Sequence, residues 1–425
     1  MTEALRGPAL AARLPSLPRI VLTVFAPFAG GYFMSYLYRS VNAVIAPNLV
    51  AEFTLSAGDL GLLTSVYFAA FALFQIPLGI LLDRFGPRRV QACLLLSAVA
   101  GAIVFALGTG YWQLLAGRAL IGLGVCGGLM SSFKAIVMWF PKERWPLVNG
   151  CFMGMGGLGA LAATTPVEAL LGLTDWRGIF LGMAAMNVAA SAAIFLIVPE
   201  RPTGGEGATL RQALQSIGAI YRDRFFWRLA PLGIGTMGIG MAFQGLWVAP
   251  WLRDVVGFDR AVVAQHLFFL TLLLTAGFVL GGVVADVLTR RGLTLMQILG
   301  WGMLLFIATQ LPLVLGWPGG LWVVLVGIGV LSNVGSYCYP MLSGHFPQNL
   351  SGRSNTALNL LVFGGGAFGL QYAIGAVIDL FPRAANGGYA PAGYQAAFGA
   401  ALLLQVLGFL WFLVPHQRKQ PNTSH

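Results

Sequence analysis

Charge is scarce in this sequence. Only 9% of its 425 residues are Asp, Glu, Lys or Arg, while 57% are hydrophobic; ordinary soluble domains carry about 25% charged residues. So few charges cannot cover the surface of a water-soluble protein of this length, which points to a membrane protein. Acids are the scarcest group: the 14 Asp and Glu lie almost wholly in polar loops or at the ends of apolar runs. Cysteine is rare as well, and Cys93, Cys126, Cys151 and Cys338 form no C-x-x-C pair, so they read as small apolar helix residues. The histidines, His266, His345, His416 and His425, are scattered without metal-ligand spacing. No cofactor is expected. No nucleophile–base pair occurs in the apolar runs, so the chain does not read as an enzyme. The net charge of +11 is dispersed in short basic clusters between apolar runs, the pattern of topology signals rather than of a nucleic-acid surface.

Apolar sequence is what abounds. Runs at about 20–46, 60–82, 90–108, 115–140, 147–171, 177–198, 228–252, 261–287, 293–314, 320–344, 354–381 and 394–414 each approach or exceed the ~20 residues of a bilayer crossing. An all-α membrane protein of twelve transmembrane helices is therefore expected. The first run is too long for a signal-peptide core and reads as a retained helix. Basic residues such as Arg6, Arg13, Arg19, Arg84, Lys142, Arg144, Arg418 and Lys419 concentrate on one side of these spans. That bias places both termini in the cytoplasm of a bacterial-type inner (plasma) membrane. A polar stretch, 200–227, separates two groups of six spans, 1–199 and 228–425. Its second part carries Leu210, Leu214, Ile217 and Ile220 at helical spacing with basic residues between, as in an interfacial amphipathic helix.

The two groups repeat one another. Ala46-Pro47 closes the first span and Ala249-Pro250 the seventh. "GILLDRFGPRR" at 79–89 follows the second span, and "GVVADVLTRRG" at 282–292 follows the eighth, so Asp83 and Asp286 correspond. Phe140-Pro141 and Phe346-Pro347 end the fourth and tenth spans. A six-helix duplication of this kind builds transporters with the substrate site between the halves. Two matches to G-x-G-x-x-G, at 122–127 and 154–159, lie mid-helix with no preceding strand, so they read as helix-packing surfaces, not dinucleotide sites.

Gly79, Asp83, Arg84, Gly86, Arg88 and Arg89 resemble the loop motif between the second and third helices of the major facilitator superfamily. Arg118 with Gly122 and Gly124 resembles its fourth-helix motif, and Trp176-Arg177 its sixth-helix start. Pro87 departs from the loop pattern, and the fifth helix lacks the Gly-Pro pattern of drug/proton antiporters. The resemblance implies two pseudo-symmetric six-helix bundles that transport by alternating access. Independently of it, Asp83 can face the positive end of the eleventh helix, expected to start near Ser354. Such a contact would latch the halves, with Arg84, Arg88 and Arg89 pairing nearby. Asp286, Arg290 and Arg291 would act likewise against the fifth helix.

Scaffold features should recur in both halves, whereas chemistry can be confined to one. Arg39 and Lys134 have no charged counterpart 203 residues on, where Ala242 and Tyr337 stand. Tyr32, Ser35, Arg39, Asn42 and Ala46 form one stripe of the first helix. By helix rise Arg39 falls in its outer third. With no carboxylate near the middle of any span, a cavity holding Arg39 and Lys134 is net positive and suits an anion or the carboxylate of a zwitterion. Alternative places for Arg39 are the outer headgroups or a salt bridge with Glu168. Tyr36-x-x-Arg39 also resembles organic-anion and, more loosely, amino-acid members of the superfamily. Asn42, Gln244, His266, Asn333, Tyr337 and Asn359 are candidate lining residues, as are Gln75, Ser336 and Asn355. His266 or Glu168 could carry a coupling proton, and anion exchange would need neither. The expected partners are a small-molecule substrate, the lipid bilayer, and a coupling proton or counter-anion. A monomer is expected. Drug or metabolite efflux is the alternative transport reading, and a non-transporting receptor or scaffold the alternative class.

Overall fold

The computed structural model describes residues 16–141, 144–201, 209–384 and 387–414. The topology residues Arg6, Arg13, Lys142, Arg418 and Lys419, and linker positions 202–208, lie outside that range. The described chain is helical nearly throughout, as a bilayer demands, because helices satisfy their own backbone groups. Its spans are α1 Leu17–Phe53, a continuous rod Ala57–Leu107, α4 Tyr111–Trp139, α5 Leu147–Leu170, α6 Trp176–Ile197 and α7 Arg224–Val256. They continue with α8 Arg260–Arg290, α9 Leu295–Leu315, α10 Pro318–His345, α11 Leu350–Ile378 and α12 Pro391–Leu413.

The rod contains two crossings. Gly86 has φ 77° and ψ 163° in the middle of it, which reverses the chain between α2 (57–85) and α3 (87–107). That backbone region is open essentially to glycine alone. It gives the second glycine of the loop motif a structural reason. Gly86→Ala should cost about 1–3 kcal/mol, read as a fall of several degrees in the melting midpoint in detergent; an unchanged midpoint would contradict the assignment.

Two expected helix ends are corrected. Pro47 does not close α1, which runs on to Phe53 and stops at Thr54 with φ 50°. Similarly, α7 passes Pro250 and ends before Gly257 with φ 83°. A proline inside a helix removes one hydrogen bond and bends the rod, but here the left-handed residue that follows is what stops it. The extension moves Arg39 from the expected outer third to near the middle of α1. The helix carrying the α11 span starts at Gln348, two residues before the span itself, with Pro347 at its N-cap, rather than near Ser354. By contrast, α4 and α10 do stop at the two Phe-Pro pairs, where Phe140 and Phe346 are extended.

Between α6 and α7 the linker forms the helix Leu210–Ile220, started by a Thr209–Gln212 capping box. Ile217 and Ile220 are buried, while Leu210 and Leu214 remain exposed. Arg353 of α11 bonds Ser216, and the Tyr221 hydroxyl donates to the Ala357 carbonyl at 3.0 Å, so this helix is tied to α11. The end of the molecule holding it and the α2–α3 turn is termed here the linker face.

The opposite face is closed by bonds between the first six and last six spans. Asp379, after α11, accepts from the Ala57 and Gly58 amides at 2.8 and 2.5 Å, capping the start of α2. Arg383 donates to the Leu55 carbonyl at 3.0 Å. Arg260 of α8 pairs with Glu168 of α5 at 2.6 Å and donates to Asn48 of α1 at 2.8 Å. At the linker face, no hydrogen bond or ion pair joins the two sets of spans among the described residues. There the backbones of Gly79, Gly150, Gly154 and Gly282 look onto open space. The protein is thus open at the linker face and shut at the other.

Candidate functional site

A cavity of roughly 410 Å³ lies at mid-depth between α1, α5, α7, α8 and α10. Tyr36 and Arg39 face it from α1, Gly154 and Gly157 from α5, Gln244 from α7, Thr271 and Thr275 from α8, and Ser332 and Asn333 from α10. Two of these helices, and α11 beside Arg39, leave regular α geometry at this depth. Phe243–Trp247 of α7 and Val362–Leu370 of α11 are wide π turns, and Ser332–Tyr337 of α10 is a tight 3-10 stretch. Such departures re-aim side chains and gather at functional sites. Here they turn Gln244, Phe363, Ser332 and Asn333 toward the centre.

Arg39 is 9% exposed, and its Nε is buried without a hydrogen-bond partner. Its guanidinium lies 4.4 Å from the Tyr36 ring centre and 5.6–5.9 Å from those of Phe68, Phe71 and Phe363. A charged side chain at mid-bilayer costs ~2.5–3.5 kcal/mol on insertion scales. A desolvated cation over an aromatic face regains ~2 kcal/mol or more, so the cage holds the charge without neutralising it. No carboxylate pairs with Arg39 among the described residues. The salt bridge with Glu168 considered from sequence does not form, since Glu168 is held by Arg260.

Gln244 donates to Thr271 Oγ1 at 3.2 Å, and Asn333 to the Leu274 carbonyl at 3.0 Å. Each side-chain amide keeps an oxygen for other use. Sequence reading missed Thr271 and Thr275, although their i, i+4 spacing in α8 was visible. It also misses Gly154 and Gly157, whose G-x-G-x-x-G match reads as helix packing alone.

Lys134 is a correction. It does not line the cavity: its Nζ reaches down to Asp83 at 2.6 Å and the Leu82 carbonyl at 2.8 Å, neutralising the charge expected to face substrate. Seven further candidates lie outside the cavity lining. Gln75 donates to the Cys126 carbonyl, Asn355 accepts from the Ser343 hydroxyl, and Ser336 is not on the cavity wall. Asn42 donates to Thr64 at 3.0 Å in the packed interior. His266 sits near the closed face, with Nδ1 2.8 Å from the Val262 carbonyl and its ring against Phe258 and Trp322. Tyr337 donates to the Gly281 carbonyl at 2.6 Å. Asn359 accepts from the Tyr339 hydroxyl.

The latch residues bridge nothing across the open face. Asp83 is taken by Lys134, and Arg88 and Arg89 reach Glu200 at 3.5 and 2.5 Å. Arg84 lies over Phe85. Asp286 pairs with Arg290 on its own helix at 2.8 Å rather than with α5.

Two other cationic places compare poorly with Arg39. A smaller pocket of roughly 190 Å³ at the closed face is lined by Glu168, Arg253 and Arg260. Arg253 pairs with Asp254 at 2.7 Å, so both arginines there are matched. Arg118 of α4 lacks a carboxylate too, but it is fully buried behind Tyr38 and Tyr67, donating to the Tyr38 carbonyl at 3.0 Å. Among the described residues, Arg39 alone combines an unmatched charge with a place on the central cavity.

The family model of the Major Facilitator Superfamily matches residues 28–370. Among curated relatives, the uncharacterized transporter YybO of Bacillus subtilis is 27% identical over 62% of this chain and 65% of its own length. The probable sulfoacetate transporter SauU of Cupriavidus necator is 25% identical over 61% of this chain and 64% of its own. The hexuronate transporter of Escherichia coli is 24% identical over 74% and 76%. The chain thus spans about 65% of the length of the first of these relatives. In fold it is similar to a bacterial homologue of the human lysosomal transporter Spinster, in an inward-facing and unoccupied conformation. That likeness has a TM-score of 0.75 at 19% identity, covering 93% of this chain and 97% of the other.

Proposed function

The chain belongs to the Major Facilitator Superfamily, and from that membership we propose that it is a secondary transporter of a small organic anion, or of a zwitterion held by its carboxylate. The observation carrying this reading is Arg39: a guanidinium with a free buried Nε, no acid beside it and a cavity in front of it. A carboxylate or sulfonate accepts a forked pair of hydrogen bonds from such a group. Gln244, Asn333, Thr271, Thr275 and Ser332 offer donors and acceptors to the uncharged remainder of the solute. The relatives named for sulfoacetate and for hexuronate, both organic anions, agree with this chemistry. The linker face, which carries the basic clusters, is assigned to the cytoplasm, so that the conformation described is inward-open.

Transport then proceeds by rocking the two six-helix bundles about the cavity. On closure of the linker face, Asp83 exchanges Lys134 for the N-terminus of α11. Asp83→Asn is expected to slow uptake about tenfold, the scale of one charge–dipole contact and one ion pair, while leaving solute affinity within about twofold. Uptake at the wild-type rate would refute the exchange of partners.

The test of the anion reading is a thermal-shift panel on detergent-solubilised protein. D-glucuronate, L-galactonate, sulfoacetate and L-tartrate are compared with uncharged D-glucose and cationic choline. At least one anion should raise the midpoint in the wild type and not in Arg39→Gln. Stabilisation by choline alone would overturn the reading and favour efflux of cations.

A further inference from the structure

We propose that the protein is an obligate exchanger, moving one anion inward only as it moves another outward. The inference rests on the anion reading of the Arg39 cavity and goes beyond it to the mode of coupling.

Its basis is a charge balance. The described residues lining the cavity include one formal charge, Arg39, and no carboxylate or histidine. Groups that could supply a negative charge or take up a proton are committed elsewhere. Asp83 is held by Lys134 at 2.6 Å and Glu168 by Arg260 at 2.6 Å. The His266 ring is bonded to its own helix near the closed face. Arg118, the nearby second guanidinium, is sealed from the cavity and only adds positive field. Nothing in the site can therefore neutralise Arg39 when the cavity is empty.

Alternating access requires the linker face to close over that cavity before the opposite face opens. With an anion bound, the occluded site contains a matched pair. Without one, it contains a desolvated and unpaired guanidinium, which the surrounding aromatic faces hold but do not discharge. The loaded carrier crosses in both directions while the empty one is stranded, so net movement without a returning anion is slow. A carrier driven by protons through its own residues would need a carboxylate or histidine at the site, and none lines it among the described residues. Exchange of two anions of equal charge moves no net charge, so neither membrane potential nor a proton gradient should drive it.

The test uses the full chain in proteoliposomes with radiolabelled D-glucuronate and, separately, L-galactonate outside. The vesicles hold buffer alone or buffer with the same unlabelled anion. Uptake of at least one of them into anion-loaded vesicles should be about tenfold or more faster than into buffer-filled vesicles, the least effect expected of stranding one unpaired charge. An acidic exterior, a protonophore or a potassium potential set with valinomycin should change that rate less than twofold. Equal uptake into buffer-filled vesicles, acceleration by external acid, or no uptake in any arm would overturn the proposal. A thermal shift with the same two anions, in wild type and in Arg39→Gln, separates the failures. If an Arg39-dependent shift persists, exchange alone is wrong; if it is absent for both, the anion reading for these solutes falls with it.

Discussion

Arg39→Gln should weaken binding of D-glucuronate by about 100-fold or more, the scale for removing one member of a buried, hydrogen-bonded charge pair. The fold should survive the change. Arg39 contributes no salt bridge to the protein, its Nε is unpartnered, and its packing is against rings that a glutamine stem can still touch. Thermal stability without solute should therefore hold or rise, because an uncompensated buried charge has been removed. Arg39→Lys is the more discriminating variant. It keeps the charge but loses the planar fork and the stacking on Tyr36, so an intermediate loss, about tenfold, is expected. Equilibrium binding to the purified variants checks both. If wild-type affinity persists in Arg39→Gln, the charge is not what the solute meets.

Gly375→Leu should abolish uptake by prising apart the closed face. A Cβ at Gly375 would stand 2.4 Å from the Ala57 carbonyl oxygen and 3.0 Å from the Trp247 ring. The first neighbour is backbone and cannot swing aside, so α2 and α11 must separate. Their separation breaks the two bonds from Ala57 and Gly58 to Asp379 and the Arg383 bond to Leu55. Hydrogen bonds to charged groups contribute about 1.5–3 kcal/mol each when shielded, and less here because Asp379 is exposed. Together they bias which face is open. The variant should bind solute within about threefold of wild type yet transport at least about tenfold more slowly, a population shift of a few kcal/mol. Labelling provides the direct check. In a background with Cys93 and Cys151 replaced by serine, a cysteine introduced at Ala46, which lines the small pocket of the closed face, should react faster with an impermeant maleimide in Gly375→Leu. Equal labelling rates would contradict the wedge.

The architecture was largely legible because membranes restrict the choices. Apolar runs of crossing length and a repeat offset of 203 residues, read from Asp83 and Asp286, give twelve helices without any tertiary information. Helix ends were less legible. Ala-Pro looked like a stop because proline breaks ideal helices, but α1 and α7 tolerate it and stop at Thr54 and Gly257, themselves a repeat pair.

Within the candidate site, Arg39 stood out through asymmetry between the halves. Lys134 stood out in the same way and was misread. Its partner, Asp83, is 51 positions away in sequence, and a helical stripe does not reveal whether a lysine points along the helix or away from it. Gln244 and Asn333 were legible as polar residues in apolar spans. Thr271, Thr275 and Ser332 were not singled out, since hydroxyls in membrane helices commonly bond their own backbone. Thr275 does so, to the Thr271 carbonyl at 2.9 Å. The π and 3-10 turns that aim these groups leave no sequence signature beyond local glycine.

The most direct measurement is a structure of the protein solved with D-glucuronate or sulfoacetate bound. The account predicts the carboxylate or sulfonate seated within hydrogen-bond distance of the Arg39 guanidinium, with the rest of the solute between Gln244, Thr275 and Asn333. Solute found instead against Arg253 and Arg260 at the closed face, or in the central cavity with its charged group turned away from Arg39, would contradict it.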